Sequence, residues 1–251
     1  DSFAHLLPDW SIRFDAMAEP FIHRAREYGI AMLLHTYGGL VVPNSFICFH
    51  NLMPLYKEGI SLKTPFVTEN VNHYANIKHH EKRLLFVPDS YMMGCIKGDK
   101  VIDEWIEYLK STTNFHFQSQ NEFLGNSSQW FMQKITNGEM ILIDGTMVGV
   151  KTSNKRAILL DDLMENHPLD LVSHCYGVYI PADELLSRTK YEWYAVLNTE
   201  ELLRSKPIIT KYIIQALYTD FTSDMGEMQI NDYSKPIPMK YIIPSQVGGG
   251  I

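Results

Sequence analysis

What the sequence lacks narrows its class before any motif does. It has 3 cysteines in 251 residues, at Cys48, Cys95 and Cys175, and no C-x-x-C pair. That spacing argues against a disulfide framework or a zinc ribbon, and three cysteines expected to be unpaired fit a reducing environment. No apolar run approaches the roughly 20 residues of a membrane span. Positive charge is in deficit: 22 Lys and Arg stand against 29 Asp and Glu, for a formal net charge of −7. A general electrostatic grip on nucleic acid or anionic lipid is disfavoured by that balance. No G-x-S-x-G elbow occurs, so nucleophilic hydrolysis has no motif to start from, and 3–20 shows no Gly-rich phosphate loop.

What is present is an ordinary globular balance, 45% hydrophobic and 20% charged, enough to bury a sizeable core. Apolar residues at Ile22, Ile30, Leu33, Leu34 and Tyr37 predict a helix over 21–37, which Gly38 and Gly39 end. A short strand from Leu40 to Val42 follows and is expected to run into the centre of a sheet. RLLFV (83–87) reads as a second strand closed by Pro88-Asp89-Ser90. Val101, Ile102, Trp105, Ile106 and Leu109 share one face of a helix over 100–109, with Asp99 as its N-cap. Residues 128–135 read as a helix. The segment 139–143 reads as a strand that turns at Asp144-Gly145 into a hairpin partner over 146–150. Further on come a strand near 176–180, a helix opened by Pro181-Ala182-Asp183-Glu184, and a last helix over 208–218. The economical organisation is one α/β domain over 1–221 with an extended C-terminal arm over 222–251, where prolines and glycines accumulate.

Several side-chain groups invite a chemical reading. His73, His79 and His80 lie in a polar stretch with no acidic ligand at helical spacing, so a solvated loop is favoured over a metal site. Asp161-Asp162 before Leu163-Met164 reads as a helix N-terminus rather than a magnesium pair. Lys151, Lys155 and Arg156 supply cation density suited to a diphosphate, although a solvated loop is the blander account. Tyr191, Trp193, Tyr194, Trp130 and Phe131 read first as core aromatics and second as a sugar-stacking platform or protein interface.

The string REYGIAMLLHTYGGLVVPNSFICFHNLMPLY resembles the core of GT-A type glycosyltransferases that carry the DXD sugar-binding motif, in particular the capsular-polysaccharide-synthesis and mannosyltransferase-like group. Tyr37-Gly38-Gly39, the apolar Leu40-Val41-Val42 and the later Leu52-Met53-Pro54-Leu55 follow that group's order and spacing. SYMMGCIKGDKVIDEWIEYL is similar to its small-residue strand, Lys-Gly turn and helix. The C-terminal half resembles proteins of large DNA viruses, which implies a virion or the reducing cytoplasm.

The resemblance implies a GT-A-like, Rossmann-like mixed sheet flanked by helices. It also implies transfer of a sugar from a nucleotide sugar to a glycan or protein acceptor. In register with the family, the helix aspartate falls on Glu27 and the helix arginine on Ile30. The two motif aspartates fall on Pro43 and Ser45, with Asn44 between. Those carboxylates would hold the divalent cation that neutralises the diphosphate; a proline and a serine carry no charge for it. The implied nucleotide-sugar cleft is Glu27, Gly38, Gly39, Pro43, Asn44, Ser45 and Asp89, without a metal. Mn²⁺ or Mg²⁺ enters only if other carboxylates rebuild the site. No catalytic residue is assigned. The alternative from a different class is a catalytically inactive GT-A-like module, with a protein partner held through the C-terminal arm.

Overall fold

The computed structural model describes residues 2–8, 10–13, 17, 21–72, 84–115 and 120–218. The His73, His79 and His80 stretch and the C-terminal arm lie outside the described residues. The elements are α1 (Ser2–Leu6), α2 (Phe21–Tyr37), β1 (Gly39–Val41), β2 (Phe46–Cys48), α3 (Met53–Gly59), β3 (Phe66–Val71), β4 (Phe86–Cys95), α4 (Lys100–Phe115), α5 (Gln120–Thr136) and β5 (Ile141–Ile143). They continue with α6 (Leu160–Met164), β6 (Gly177–Tyr179), α7 (Ala182–Ser187), α8 (Glu192–Ala195), α9 (Thr199–Arg204) and α10 (Ile208–Tyr218).

The main sheet has the order β1-β4-β3-β5. β4 is antiparallel to β1 and to β3, while β5 is parallel to β3. Three strands, β1, β3 and β5, therefore share one direction and deliver their carboxyl ends to one edge. The expectation that β1 occupies the sheet centre is corrected here, because β1 is an outer strand paired only with β4. β2 and β6 form a separate antiparallel pair.

Alternation along the strands sends side chains to two faces. On one face Val67, Met93 and Cys95 meet Ala31 and Leu34 of α2, Ile102, Trp105, Ile106 and Leu109 of α4, and Phe123 and Phe131 of α5. On the other, Met92 meets Phe46, Leu55, Val148 and Val150, a cluster that Val71 joins at the end of β3. A third cluster joins β2 and β6 to α6–α10 through Phe49, Leu160, Val178, Ile208 and Tyr212. Tyr191 and Tyr194 belong to it, and Phe131 and Trp130 pack on Trp105, so the aromatics are core; Trp193 alone among the five stays substantially exposed.

Local chemistry explains the boundaries. Gly38 takes φ +70° and its N–H donates to Leu34 O at 2.7 Å, closing α2 in the left-handed cap that glycine adopts without strain. A Cβ at that position would lie 2.6 Å from the Lys97 nitrogen, so the close approach also demands glycine. The Asp99 carboxylate accepts from the N–H groups of Val101 (2.9 Å) and Ile102 (3.3 Å), which caps α4 as expected. All three cysteines are free thiols.

Two strand expectations need correction. β4 does not stop at Pro88 but runs through Pro88-Asp89-Ser90 to Cys95. The proline is tolerated because β1 pairs only with 93–95, leaving the N-terminal half of β4 unpaired on that side. The 139–150 hairpin is absent: β5 pairs in parallel with β3, and 145–149 coil into turns instead. The 128–135 helix is the second half of the longer α5.

Replacing Asp99 by Ala removes the α4 cap and is expected to lower stability by about 1 kcal/mol. A urea melt should show a lower midpoint with an unchanged slope, and an unchanged midpoint would deny Asp99 that role.

Candidate functional site at the carboxyl edge of the sheet

The residues that gather at the carboxyl edge come from α2, β3, β4 and the segments after β1 and β5. A fault in the β3–β4 ladder builds the centre of the group. Val67 pairs with Met93, but the next residue, Thr68, pairs with Asp89, so 90–92 bulge out of the ladder. A bulge of this kind re-aims side chains. Thr68 Oγ1 donates to Met92 O at 3.2 Å and Tyr91 Oη donates to Glu69 O at 3.0 Å, stitching the loop of backbone down.

Within it, Asp89 and Ser90 are buried polar residues. Asp89 Oδ1 accepts from its neighbour Tyr91 N at 3.1 Å, and Asp89 Oδ2 accepts from Asn70 Nδ2 at 3.0 Å. Ser90 Oγ donates to Glu27 Oε2 at 2.9 Å, joining α2 to the bulge. Burial pushes the Glu27 carboxyl up to about 7; the nearby Asp89 charge adds to that and the Ser90 hydrogen bond opposes it. A carboxyl that titrates near neutrality beside a second carboxylate is the electrostatic pattern of functional sites.

β1 ends beside the bulge, since its last pair is Val41 with Met93. The turn Pro43-Asn44-Ser45 follows at once. Phe46 N donates to Pro43 O at 3.0 Å to close it, and Ile180 N donates to Ser45 O at 3.0 Å to tie it to the end of β6. The turn thus stands at the carboxyl end of β1, as expected, and offers an amide, a hydroxyl and backbone carbonyls. Gly38 and Gly39 lie at the opposite, amino end of the same strand. Of the seven expected cleft residues, Glu27, Asp89 and the turn share the carboxyl edge, and the two glycines do not.

Glu69, which the sequence reading left aside, completes the edge with Lys151 and Asp144. Glu69 of β3 accepts from Gly145 N at 2.8 Å and pairs with Lys151 in a very short contact. Lys151 Nζ also lies 3.5 Å from Asp144 Oδ2 and 4.4 Å from the centre of the Phe86 ring. Its side chain is only 8% exposed, which corrects the expectation of a solvated loop for Lys151 alone, since Lys155 and Arg156 are exposed; Glu69 and Asp144 supply the counter-charge that makes its burial tolerable. The signal for this half of the site is the TEN triplet set between the valines of β3. Its polar residues fall at buried positions, Thr68 and Asn70, where a strand of this length would ordinarily be apolar.

Asp161 and Asp162 are committed elsewhere. Asp162 accepts from Leu159 N at 2.9 Å and from Arg156, serving as the first-turn partner of α6. Asp161 accepts from Tyr191, Arg188 and Lys190, and these bonds hold its carboxyl well below the usual range. Among the described residues no three His, Cys, Asp or Glu side chains converge as a metal-ligand set, and no helix there is long and apolar enough to cross a membrane.

The Glu27 carboxyl titrates near 7 in the fold against an ordinary 4.5, so between those values the folded chain keeps a proton that the unfolded chain releases. Stability from this group is complete below pH 4.5 and is lost as pH rises through 7, by roughly 3 kcal/mol at most. Glu27→Gln should therefore match the wild type in acid, exceed it increasingly between about pH 4.5 and 7, and keep a constant margin above that. Parallel stability–pH curves for the two proteins would contradict this assignment.

Comparison with known proteins leaves the geometry to speak for itself, because no family model, no curated protein and no solved structure matches the chain.

Proposed function

We propose that the chain is a glycosyltransferase-like module that receives a nucleotide sugar at the carboxyl edge of its main sheet. The sugar would pass to a glycan or protein acceptor. The observation that carries this reading is convergence: β1, β3 and β5 run in one direction, Ser90 joins Glu27 at the bulge that also carries Asp89, and β1, with the 43–45 turn after it, ends beside that bulge. In open α/β sheets the crevice beyond the carboxyl ends of the strands is where ligands bind. The resemblance of 26–56 to GT-A sequences points to the same turn.

In the transfer, the bond from the anomeric carbon to the acceptor oxygen forms while the bond to the diphosphate oxygen breaks. The acceptor proton must leave to a base, and the departing diphosphate must find positive charge. A half-buried carboxyl poised near neutrality, Glu27, has the properties of a proton acceptor. A second reading, a catalytically inactive binding or structural module, is favoured by one specific observation. The turn after β1 supplies no carboxylate at position 43 or 45 for a divalent cation, which normally needs at least one to offset its dehydration.

A thermal-shift series with UDP- and GDP-sugars, with and without Mn²⁺, tests the proposal, since a ligand that binds the native state raises the melting temperature by linkage. At least one donor should raise it, equally with and without metal. Release of free UDP or GDP from that donor then separates an active transferase from an inactive module. If no donor stabilises the chain the reading falls, and a rise that requires Mn²⁺ shows that the edge holds a metal after all.

A further inference from the structure

The bulge in β4 decides which side chain meets Glu27. Met93 and Cys95 face α2, while Met92 faces the opposite cluster, as alternation along a strand requires. Tyr91 then packs against the same cluster as Met92, its ring 4.7 Å from that of Tyr179 between centroids. Two sequence neighbours on one side reverse the phase of the strand, so Ser90 falls on the α2 side. Unbroken alternation would turn the Tyr91 ring to α2 in its place.

Glu27 on α2 is half-buried, and its Oε2 accepts from Ser90 Oγ at 2.9 Å. A hydroxyl that donates to one carboxyl oxygen orients the group and leaves the other oxygen for the proton. Glu27 Oε1 has no hydrogen-bond partner among the described residues. The charge that bears on Glu27 is that of Asp89 on β4, itself bonded to Asn70 of β3 and to the Tyr91 N–H. Arg24, one turn earlier on α2, sets its guanidinium over the rings of Phe21 and Phe123, where it feels the charge of Glu122 on α5.

We infer that Ser90 is a positioning residue for Glu27, holding Oε2 so that Oε1 is the oxygen that takes and releases the proton. The catalytic part of this inference rests on the function proposed above. In that transfer the acceptor O–H bond breaks and its proton passes to Oε1. The electron pair left on the acceptor oxygen forms the bond to the anomeric carbon, and the diphosphate oxygen departs with the pair of the bond that breaks. The hold of Ser90 on Glu27 does not depend on that reading.

Ser90 and Asp89 act on the proton in opposite senses: the hydroxyl favours the carboxylate and the neighbouring charge favours the acid. The test is a pH titration of the full chain, followed by the ¹³C resonance of the Glu27 carboxyl, which is assigned as the one missing from Glu27→Gln. The wild-type midpoint should lie at about 7. Ser90→Ala should raise it by about one pH unit, because the charged form loses a donor. Ser90→Thr keeps the hydroxyl and should restore the wild-type value, while Asp89→Asn should lower it. Ser90→Cys, of similar size but only a weak donor, should also raise it and serves where Ser90→Ala does not fold.

The inference is overturned if neither Ser90→Ala nor Ser90→Cys moves the midpoint, or if Ser90→Thr moves it as far as they do. If no nucleotide sugar raises the melting temperature while the titration behaves as stated, the transfer falls and the positioning of Glu27 stands. If a donor sugar is bound and turned over, and Ser90→Ala keeps the wild-type dependence of kcat on pH, the positioning falls and the donor reading stands.

Discussion

The ion pair between Lys151 and Glu69 is the contact on which the carboxyl edge depends. Taking an ammonium and a carboxylate out of water costs several kcal/mol per ion, and only close geometry with further hydrogen bonds offsets it. Here Glu69 also accepts from Gly145 N, Asp144 stands on the far side of the ammonium, and the Phe86 ring lies beneath it. Because Glu69 is on β3 and Lys151 follows β5, the pair folds 144–158 down onto the sheet. Val148 and Val150 then enter the core, Tyr176 N donates to Met147 O at 2.8 Å, and Ile158 N donates to Val150 O at 2.9 Å. Gly149 passes so near β6 that a Cβ there would lie 2.3 Å from Gly177 O. The small β2–β6 sheet is thereby seated against the large one, and the edge takes a wall from this loop.

Charge is distributed unevenly across that edge. Its acidic side chains, Glu27, Glu69, Asp89 and Asp144, come from α2, β3, β4 and the end of β5, and one internal ammonium balances part of them. The turn after β1 is neutral. On the proposed GT-A reading, that turn would correspond to one that concentrates two carboxylates for a metal. In this chain the carboxylates instead stand on neighbouring elements and are largely committed to protein donors. Under the proposed function, such an arrangement would alter the electrostatics that a diphosphate meets, which is why fold and chemistry are separate questions for this chain.

Much of the frame was legible in the sequence because it rests on local rules. The 3.6-residue period of α2, the apolar face of α4 and the Asp99 cap each involve residues within a turn or two of one another. β4 was not legible, since Pro88-Asp89-Ser90 has the composition of a stop, and only the shortness of β1 lets the strand continue past the proline. The bulge also breaks the period of 2 by which a strand is recognised. β5 finds a parallel partner remote in sequence, which no hairpin signal announces. Lys151 was read as solvated because the carboxylate that buries it is 82 residues away. Glu27 and Asp89 were both named from sequence, yet what joins them, the Ser90 hydroxyl and the bulge that aims it, belongs to tertiary structure.

The central claim, that the Lys151–Glu69 pair secures the edge, is tested most directly by comparing Lys151→Met with the double variant Lys151→Met/Glu69→Gln in chemical denaturation. Leaving Glu69 without its counter-ion should cost about 3–5 kcal/mol, and neutralising both partners should recover a large part of that loss. A single variant within about 0.5 kcal/mol of the wild type, the range of ordinary surface substitutions, would contradict the account.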